Sequence, residues 1–502
     1  MSVTSASATK ALPRSLRPPT GSSLDVRLAC FSIAGPGATN LLTGLWDANV
    51  DRSPVIALTG QVDTQVLGPG ALQEIDLEAA YGKVAQWGQT VLATSRHAEL
   101  ANLAVKSSIL NRGVSHLIFP DEVQTVPVDE AMAAGTPEGR MPQLSIAPPE
   151  DALAAAVDLV KASSRPLIIV GHGARFEMPA IVELAEQLSC PVVTTFKAKG
   201  LIPDSHPLAG GVLGRSGTPI ASWLMNESDA LVVFGASFSN HTGITSKRPT
   251  VQVDYDPMIL GKFHGVDVPV LGEIGVTAKR LIAALDGVTS TVDQAPDVAA
   301  RWALWRHEKE RRSGESRGKG VASAALFAVM SKLAPDDAII AVDVGNNTYS
   351  FGRYFECKRQ SILMSGYLGS IGFGYPAAMG AWVATQEDDA RFAGRPVMAV
   401  TGDGGFAQYL AEITTAVKYG MRITHVLLHN DELGKISKEQ RSGNWDVWET
   451  DLVNPNFAEY ADLCGALGIR VSSADELEPA LIRALDHDGP SLVEVMTDVE
   501  LV

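Results

Sequence analysis

Cysteine is scarce in this sequence, and its few copies are scattered. The chain has 502 residues and four cysteines, Cys30, Cys190, Cys357 and Cys464, with no Cys-x-x-Cys pair. This pattern argues against a disulfide framework or a zinc site and favours reduced thiols in a cytoplasmic protein. Long apolar runs are also missing, since no stretch reaches the ~18 residues that a membrane-spanning helix needs. We therefore expect no membrane span.

Positive charge is in deficit. Lys and Arg number 41 against 57 Asp and Glu, which gives a formal net charge of −16. This balance argues against nucleic acid or an anionic membrane as a partner, and an anionic ligand would need a local site that offsets its charge. No Gly-x-Gly-x-x-Gly turn follows a strand with an acidic residue further on, which argues against a pyridine-nucleotide dehydrogenase. Length and an apolar content of 46% indicate a globular protein of two to four domains.

Apolar strands alternate with glycine-rich turns and helices in three blocks, which predicts parallel sheets covered by helices. We place an unstructured leader at 1–24 and the three α/β domains at 25–131, 150–286 and 320–502. Linkers are predicted at 132–149 and 286–317, the second ending in a charged helix with a solvated face. We expect helices between the loop Gln61–Gln73 and Ala104, and we interpret Gly210–Gly217 as a turn.

The most informative stretch is 396–440. An apolar strand leads into the turn Gly402–Gly405 and a helix, an arrangement whose backbone N–H groups can cradle a phosphate. Asp403 within that turn would repel a diphosphate unless a divalent cation lies between them. Mg²⁺ accepts carboxylate, amide and carbonyl oxygens, so Asn430 (side chain) and Glu432 (backbone carbonyl), after the next strand, are candidate ligands.

Gly402-Asp403-Gly404, followed after 24 residues by His429-Asn430, resembles the signature of thiamine diphosphate (ThDP) enzymes. The family usually has Asn-Asn where this chain has His429-Asn430, and the metal-binding Asn falls on Asn430. An ordinary tight turn in an α/β sheet is the alternative interpretation.

Four further segments extend the resemblance to the pyruvate oxidase and acetolactate synthase branch of this family. They are Ser32–Leu45 (SIAGPGATNLLTGL), Leu67–Asp76 (LGPGALQEID), Asp343–Asn347 (DVGNN) and Gly369–Ala381 (GSIGFGYPAAMGA). The resemblance implies three doubly wound parallel-sheet α/β domains, namely pyrimidine-binding, central and diphosphate-binding, of which the first is incomplete.

The resemblance also implies roles for individual residues. Ile371 would prop the thiazolium and pyrimidine rings of ThDP into a V, and Gln73 would lie near the substrate. Asp403, Asn430 and Glu432 would bind Mg²⁺. The other implied cofactor contacts are Pro36, Asn40, Gly345, Asn346, Asn347, Gly369, Ser370, Gly402, Gly404 and Gly405. Without the neighbouring motifs, Ile371 would be interpreted as an ordinary core residue.

ThDP adds to a 2-oxo acid through its C2 carbon and then acts as an electron sink for decarboxylation. In the family, a Glu that hydrogen-bonds the pyrimidine ring promotes loss of the C2 proton, and the apolar prop keeps the accepting nitrogen close. No Glu precedes Glu74 here. We interpret this as a chain start that omits the true amino-terminal portion, with a complete domain that works without the Glu as the alternative.

The central block carries turns that resemble flavin contacts, including Gly171, Gly173 and Gly214. Glycines at strand ends also occur in any nucleotide-type domain for geometric reasons, so bound FAD is the expectation and an empty or ADP-type domain the alternative.

Taken together, the resemblance implies decarboxylation of a 2-oxo acid such as pyruvate, followed by oxidation or carboligation. A catalytically impaired ThDP-binding remnant without the activating Glu is the alternative. A homodimer or homotetramer is implied, because in relatives ThDP lies between the pyrimidine domain of one chain and the diphosphate domain of another.

Overall fold

The computed structural model describes residues 28–127, 139–288 and 291–501. The predicted leader at 1–24 and residues 132–138 of the first predicted linker lie outside these ranges. The chain forms two compact units. The first unit holds the amino-terminal sheet with Ser365–Ser370 and Met379–Gly394, and the second holds Leu144–Met364, Ile371–Ala378 and the chain from Arg395 onward.

The first unit is built on a parallel sheet in the order β1-β2-β4-β3. Its strands are β1 (Leu28–Ser32), β2 (Val55–Gln61), β3 (Ala85–Thr90) and β4 (Val114–Pro120), and its helices are α1 (Pro36–Asn40), α2 (Leu42–Val50), α3 (Leu77–Tyr81), α4 (His97–Leu110) and α5 (Asp121–Gln124). The prediction of helices alone up to Ala104 was wrong at β3. The sequence of β3, AQWGQT, is mostly polar because it forms an edge strand, so it lacks the apolar run of a central strand.

The central sheet is also parallel, in the order β10-β9-β8-β5-β6-β7. Its elements are α6 (Glu150–Lys161), β5 (Pro166–Val170), α7 (Met178–Gln187), β6 (Val192–Thr194), β7 (Ala209–Val212), α8 (Pro219–Glu227), β8 (Ala230–Phe234), β9 (Thr250–Asp254), β10 (Val268–Leu271) and α9 (Ile274–Ala284). Every residue of β5 and β8 is buried, as expected for strands covered on both faces. The interpretation of Gly210–Gly217 as a turn was wrong at its start, where Gly210 and Gly211 belong to the edge strand β7.

The predicted second linker contains the 19-residue helix α10 (Ala295–Ser313). Trp302 and Trp305 on this helix are buried, and the Trp302 indole N–H donates to the Ala209 carbonyl at 2.7 Å. The predicted linker is therefore a helix packed into the core, while the charged segment Arg306–Arg312, for which a solvated face was predicted, holds no buried residue. The helix joins a core that runs from the central sheet to the third one, with Leu224 and Phe351 among its members.

The third sheet is parallel in the order β12-β11-β13-β14-β16-β15. Its elements are α11 (Ser323–Leu333), β11 (Ile339–Val342), α12 (Asn346–Tyr354), β12 (Ser361–Leu363), α13 (Gly374–Thr385), β13 (Val397–Gly402), α14 (Asp403–Phe406), α15 (Glu412–Lys418), β14 (Ile423–His429), α16 (Gly434–Ser442), α17 (Phe457–Leu463), β15 (Leu467–Val471), α18 (Leu477–Asp486) and β16 (Ser491–Met496).

Three parallel sheets with flanking helices confirm the predicted α/β class. The exact domain limits stay a prediction. Among the described residues, no helix combines the length and apolar character needed to cross a bilayer.

Candidate cofactor site

The candidate site lies at the carboxyl edge of the third sheet. Strands β11, β13 and β14 are neighbours and run parallel, so their carboxyl ends lie side by side. Asp343, Asp403 and Asn430 follow these three strands directly. In open α/β sheets, ligands bind in the crevice outside such strand ends.

Asp403 is buried, and its two carboxylate oxygens are used differently. Oδ2 accepts the backbone N–H groups of Asn430 at 3.0 Å and Asp431 at 2.7 Å, and the Asn454 side-chain amide at 3.1 Å. Oδ1 accepts only the Gly404 N–H, at 2.9 Å, among the described residues. Burial raises the pKa of Asp403, although these N–H groups favour its charged form. The oxygen with spare acceptor capacity is therefore Oδ1.

The other two predicted ligands occupy the turn after β14. Asn430 Oδ1 accepts the Glu432 backbone N–H at 3.1 Å, and the Glu432 carbonyl accepts the Gly434 N–H at 2.8 Å. Each of these oxygens has two lone pairs, so each retains one for a cation. The Glu432 side chain forms an ion pair with the Arg441 guanidinium at 3.1 Å, so only its backbone carbonyl is offered as a metal ligand.

The backbone around Asp403 fits a diphosphate held through a divalent cation. A Cβ atom on Gly405 would come within 2.4 Å of the buried Asp343 Oδ2, which favours glycine there, and one on Gly404 would come within 2.9 Å of the end of the Leu433 side chain. The Asn346 side-chain nitrogen is buried without a hydrogen-bond partner in the described chain. An unpaired amide donor at the start of α12 suits a phosphate oxygen.

Asp343 connects two of the predicted motifs. Its Oδ1 accepts the N–H of Val344 at 2.7 Å and of Gly372 at 2.8 Å, which fastens the segment after Ile371 to the end of β11. Its Oδ2 is buried and has no partner in the described chain. Burial raises the pKa of Asp343 to about 7.

The raised pKa of Asp343 gives a pH-dependent stability. Between the ordinary pKa of 3.8 and about 7, folded protein holds this proton and unfolded chain does not. As the pH rises through this window, the free energy of unfolding should therefore fall by up to about 1.4 kcal/mol per pH unit. We expect Asp343→Asn to remove this slope, measured by urea unfolding at pH 5, 6, 7 and 8. Asp446→Asn, which neutralises an exposed acid, is the control, and parallel profiles for parent and Asp343→Asn would contradict the expectation.

His429 lies between two carboxylates. Its Nδ1 contacts Glu494 Oε1 at 2.6 Å, and its Nε2 contacts Asp431 Oδ1 at 2.7 Å. Burial lowers the pKa of this imidazole, but the hydrogen bonds to the two acids outweigh it, so the pKa is raised. The residue that departs from the family pattern thus pairs with the buried Glu494, and this contact favours its protonated form.

The remaining predicted residues of this region differ in their surroundings. Ile371 is 38% exposed, which suits a side chain that contacts a ligand better than one in the core. Asn347 is buried, and its side-chain nitrogen donates to the Asp343 carbonyl at 2.8 Å, which leaves Asn346 as the residue with an uncommitted donor.

The other predicted cofactor contacts of this region are backbone positions. Ser370 donates its backbone N–H to Ser365 Oγ at 3.0 Å. Gly369 and Gly345 both have positive φ, 67° and 132°. Gly402 is the last residue of β13.

In the first unit, the two predicted loops lie against each other. Gly35 has a φ of 63°, and a Cβ atom there would come within 2.9 Å of Gln73 Cβ. Pro36 and Asn40 are the two ends of α1, directly after Gly35. The structure therefore brings Gln73 to the start of the helix that carries Pro36 and Asn40.

Glu74 is the first glutamate of the sequence, and it stabilises its own loop. Its carboxylate accepts the N–H groups of Gly68, Gly70 and Ala71 at 2.7, 3.0 and 2.9 Å. These bonds, led by the one from Ala71, lower the pKa of Glu74. Glu74 is therefore engaged as a loop cap.

The central-domain glycines are explained by backbone packing. A Cβ atom on Gly171 would come within 2.2 Å of the Gly235 carbonyl oxygen, and one on Gly173 within 2.9 Å of Gly235 Cα. Gly214 has a φ of 108°, and a Cβ atom there would come within 2.3 Å of the His241 carbonyl oxygen. These close approaches require glycine with or without a flavin, so the flavin contacts remain a prediction.

Sequence reasoning missed Asn454 and Glu494, which complete the surroundings of Asp403 and His429. Glu494 had a usable signal, because it is a single acid within the buried apolar strand β16, SLVEVM. Asn454 had none, because it follows Val453 in a loop with no regular pattern.

Models of thiamine pyrophosphate enzymes match three parts of the chain. The N-terminal TPP binding domain matches residues 27–80, the central domain 153–281 and the C-terminal TPP binding domain 343–495. A thiamine pyrophosphate-containing protein of Bacillus subtilis, YdaP, is 33% identical over 478 residues, which cover 93% of this chain and 80% of the relative. The chain belongs to the thiamine pyrophosphate enzyme family. This result confirms the resemblance inferred from the Gly402–Gly405 turn.

Two other relatives indicate the branch of the family. The acetolactate synthase large subunit of Parasynechococcus marenigrum is 30% identical over 492 residues, with 93% of this chain and 76% of the relative covered. The corresponding subunit of Corynebacterium glutamicum is 29% identical over 499 residues, with the same coverage. This ThDP enzyme therefore belongs to the acetolactate synthase and pyruvate oxidase-like branch.

Proposed function

We propose that the protein decarboxylates a 2-oxo acid of the pyruvate type with ThDP and Mg²⁺, and then oxidises the two-carbon unit or transfers it to a second 2-oxo acid. The observation that carries this proposal is the arrangement of Asp403. Its Oδ2 is saturated by N–H donors, while Oδ1 keeps acceptor capacity at the end of β13. Such a carboxylate, one strand away from the Asn430 amide, would offer Mg²⁺ the oxygen ligands that it prefers.

The chain's own residues would bind and orient the cofactor. Asp403, Asn430 and the Glu432 carbonyl would hold Mg²⁺, and the unpaired Asn346 amide would donate to the diphosphate. Ile371, exposed on the segment fastened by Asp343, would support the bent form of the cofactor. When bound, ThDP supplies the carbon nucleophile and the electron sink for decarboxylation.

The test is an assay of purified protein with ThDP, Mg²⁺ and FAD. Pyruvate would be the substrate, with carbon dioxide release, acetolactate formation and oxygen consumption as separate readouts. Release of carbon dioxide with acetolactate would support carboligation, and release with oxygen consumption would support oxidation. No release above a reaction without protein, in a sample that binds ThDP, would support the alternative of a ThDP-binding remnant.

That alternative has one observation in its favour. Glu74, the first glutamate in the sequence, already accepts three backbone N–H groups of its own loop. Three of its acceptor positions are thus used within its own loop, and this engagement holds the carboxylate in place there. A chain that binds ThDP through the Asp403 region and turns over slowly would fit this arrangement.

FAD in the central domain is a separate part of the proposal. Its support is the similarity of the turns at Gly171, Gly173 and Gly214 to flavin contacts. The visible absorbance spectrum of protein purified with added FAD tests it directly, and a spectrum without flavin bands would contradict it.

We also propose a homodimer or homotetramer. Apolar side chains in or next to the first-unit motifs are exposed in the single chain, with Phe31 at 62%, Ile33 at 66% and Leu72 at 90%. Side chains of this kind are expected to be covered in an assembly. Light scattering of the purified protein would give the mass, and a monomer at micromolar concentration would contradict the proposal.

A further inference from the structure

Beside Asp403, three potential metal-binding groups lie unusually close together. Donor atoms of Asp403, His429 and Asp431 all lie within 4.8 Å of one another. On geometry alone, this cluster resembles a cation site. Its partners show why it is not one.

The side-chain nitrogen of Asn454 occupies the point on which the three groups converge. It lies 3.1 Å from Asp403 Oδ2, 2.9 Å from Asp431 Oδ1 and 3.5 Å from His429 Nε2. The amide has to present its nitrogen here, because its oxygen would face two carboxylates. Both ring nitrogens of His429 already contact acids. Amide N–H groups thus fill the place that a cation would take.

This contact determines which Asp403 oxygen is available. With Asn430 and Asp431 each donating a backbone N–H, the Asn454 amide is the third donor to Oδ2. An oxygen with two lone pairs is then fully used. Rotation of the carboxylate about χ2 would break three hydrogen bonds, so Oδ1 is held in one direction.

Asn454 also belongs to a loop that is fastened to the predicted metal-binding turn. We call residues 443–456, between α16 and α17, the tryptophan loop. The Leu433 N–H donates to the Thr450 carbonyl at 2.7 Å, and the Leu452 N–H donates to the Asp431 carbonyl at 2.8 Å. An antiparallel bridge between Glu432 and Asp451 lies between these bonds. Trp445 and Trp448 in the same loop are 69% and 72% exposed.

We propose that Asn454 is a positioning residue for the cofactor metal: it fixes the orientation of Asp403 and fastens the tryptophan loop to the turn that carries Asn430 and Glu432. This inference rests on the proposed function, because it assumes that Mg²⁺ binds at Oδ1. Partners that orient a metal ligand typically change metal affinity about 10- to 100-fold when they are removed.

The test is a calorimetric titration of Mg²⁺ into metal-free protein at a fixed, saturating ThDP concentration. We expect Asn454→Ala to weaken the apparent Kd for Mg²⁺ by about tenfold or more. The matched control is Asn456→Ala, on the same loop. Asn456 caps α17 through the Glu459 N–H at 3.2 Å, so its loss should lower the melting temperature and leave the Kd for Mg²⁺ unchanged.

The outcomes separate this inference from the proposed function. If the parent protein shows no Mg²⁺-dependent binding of ThDP, the proposed function fails and this inference fails with it. If the parent binds and Asn454→Ala binds within twofold of it, only this inference is overturned. Equal weakening in Asn454→Ala and Asn456→Ala would also overturn it, because the effect would then be general loosening of the loop. If Asn454→Ala does not fold, Asn454→Leu, which keeps the approximate size of the side chain and removes its donor, replaces it with the same twofold criterion.

Discussion

Replacing His429 with alanine is expected to lower the free energy of unfolding by about 3 kcal/mol, because it leaves a buried carboxylate without its main partner. The Glu494 side chain is fully buried, and it contacts His429 Nδ1 at 2.6 Å. Without His429 it would keep the Ala458 N–H at 3.1 Å and a distant Arg470 at 3.8 Å. Urea unfolding followed by circular dichroism measures the loss.

A double variant and a surface pair make this prediction specific. Adding Glu494→Gln to His429→Ala removes the buried charge, so part of the lost stability should return. His206→Ala is the control, since His206 pairs at 3.3 Å with Glu186, whose side chain is 61% exposed, and such pairs contribute little. A His429→Ala variant as stable as His206→Ala would show that the Glu494 contact has no stabilising role.

Asp403→Asn is expected to weaken Mg²⁺-dependent ThDP binding by more than about 100-fold, beyond the usual effect of residues that only support a ligand. The amide oxygen can take over the hydrogen bonds of Oδ2, and the amide nitrogen would then replace Oδ1. A nitrogen that carries two hydrogens cannot bind a cation. Because burial already disfavours the charge on Asp403, the variant should fold, and the loss should be one of binding.

Asp446→Asn is the control for Asp403→Asn. It removes the same charge from an exposed position in the tryptophan loop and makes no contact with Asp403 that the structure describes. Its affinity for ThDP should equal that of the parent protein. If both variants bind ThDP as the parent does, Asp403 is not a metal ligand.

Much of the fold could be predicted because central parallel strands are apolar on both faces. Strands such as β5 and β8 are short buried runs bounded by turn residues, the pattern on which the three α/β blocks were predicted. The edge strands β3 and β7 were missed, because one face of an edge strand is less covered and its sequence is correspondingly polar or glycine-rich.

The candidate site could be located from the sequence where close packing restricts the residue type locally. At Gly405 a Cβ atom would come within 2.4 Å of the buried Asp343 Oδ2, so close packing favours glycine and the turn leaves a motif in the sequence. The contacts of Asn454 join positions 51, 25 and 23 residues apart, to Asp403, His429 and Asp431. No local pattern records such contacts, and only the folded chain reveals them.

The most direct test of the Asp403 site is calorimetric titration of ThDP into the parent protein, once with Mg²⁺ present and once after removal of divalent metal by a chelator. We expect saturable binding with Mg²⁺ and a loss of at least about tenfold in affinity without it, because Asp403 and the diphosphate are both anionic and need the cation between them. ThDP binding of equal affinity under both conditions, or no binding with Mg²⁺, would contradict a metal-bridged cofactor at Asp403.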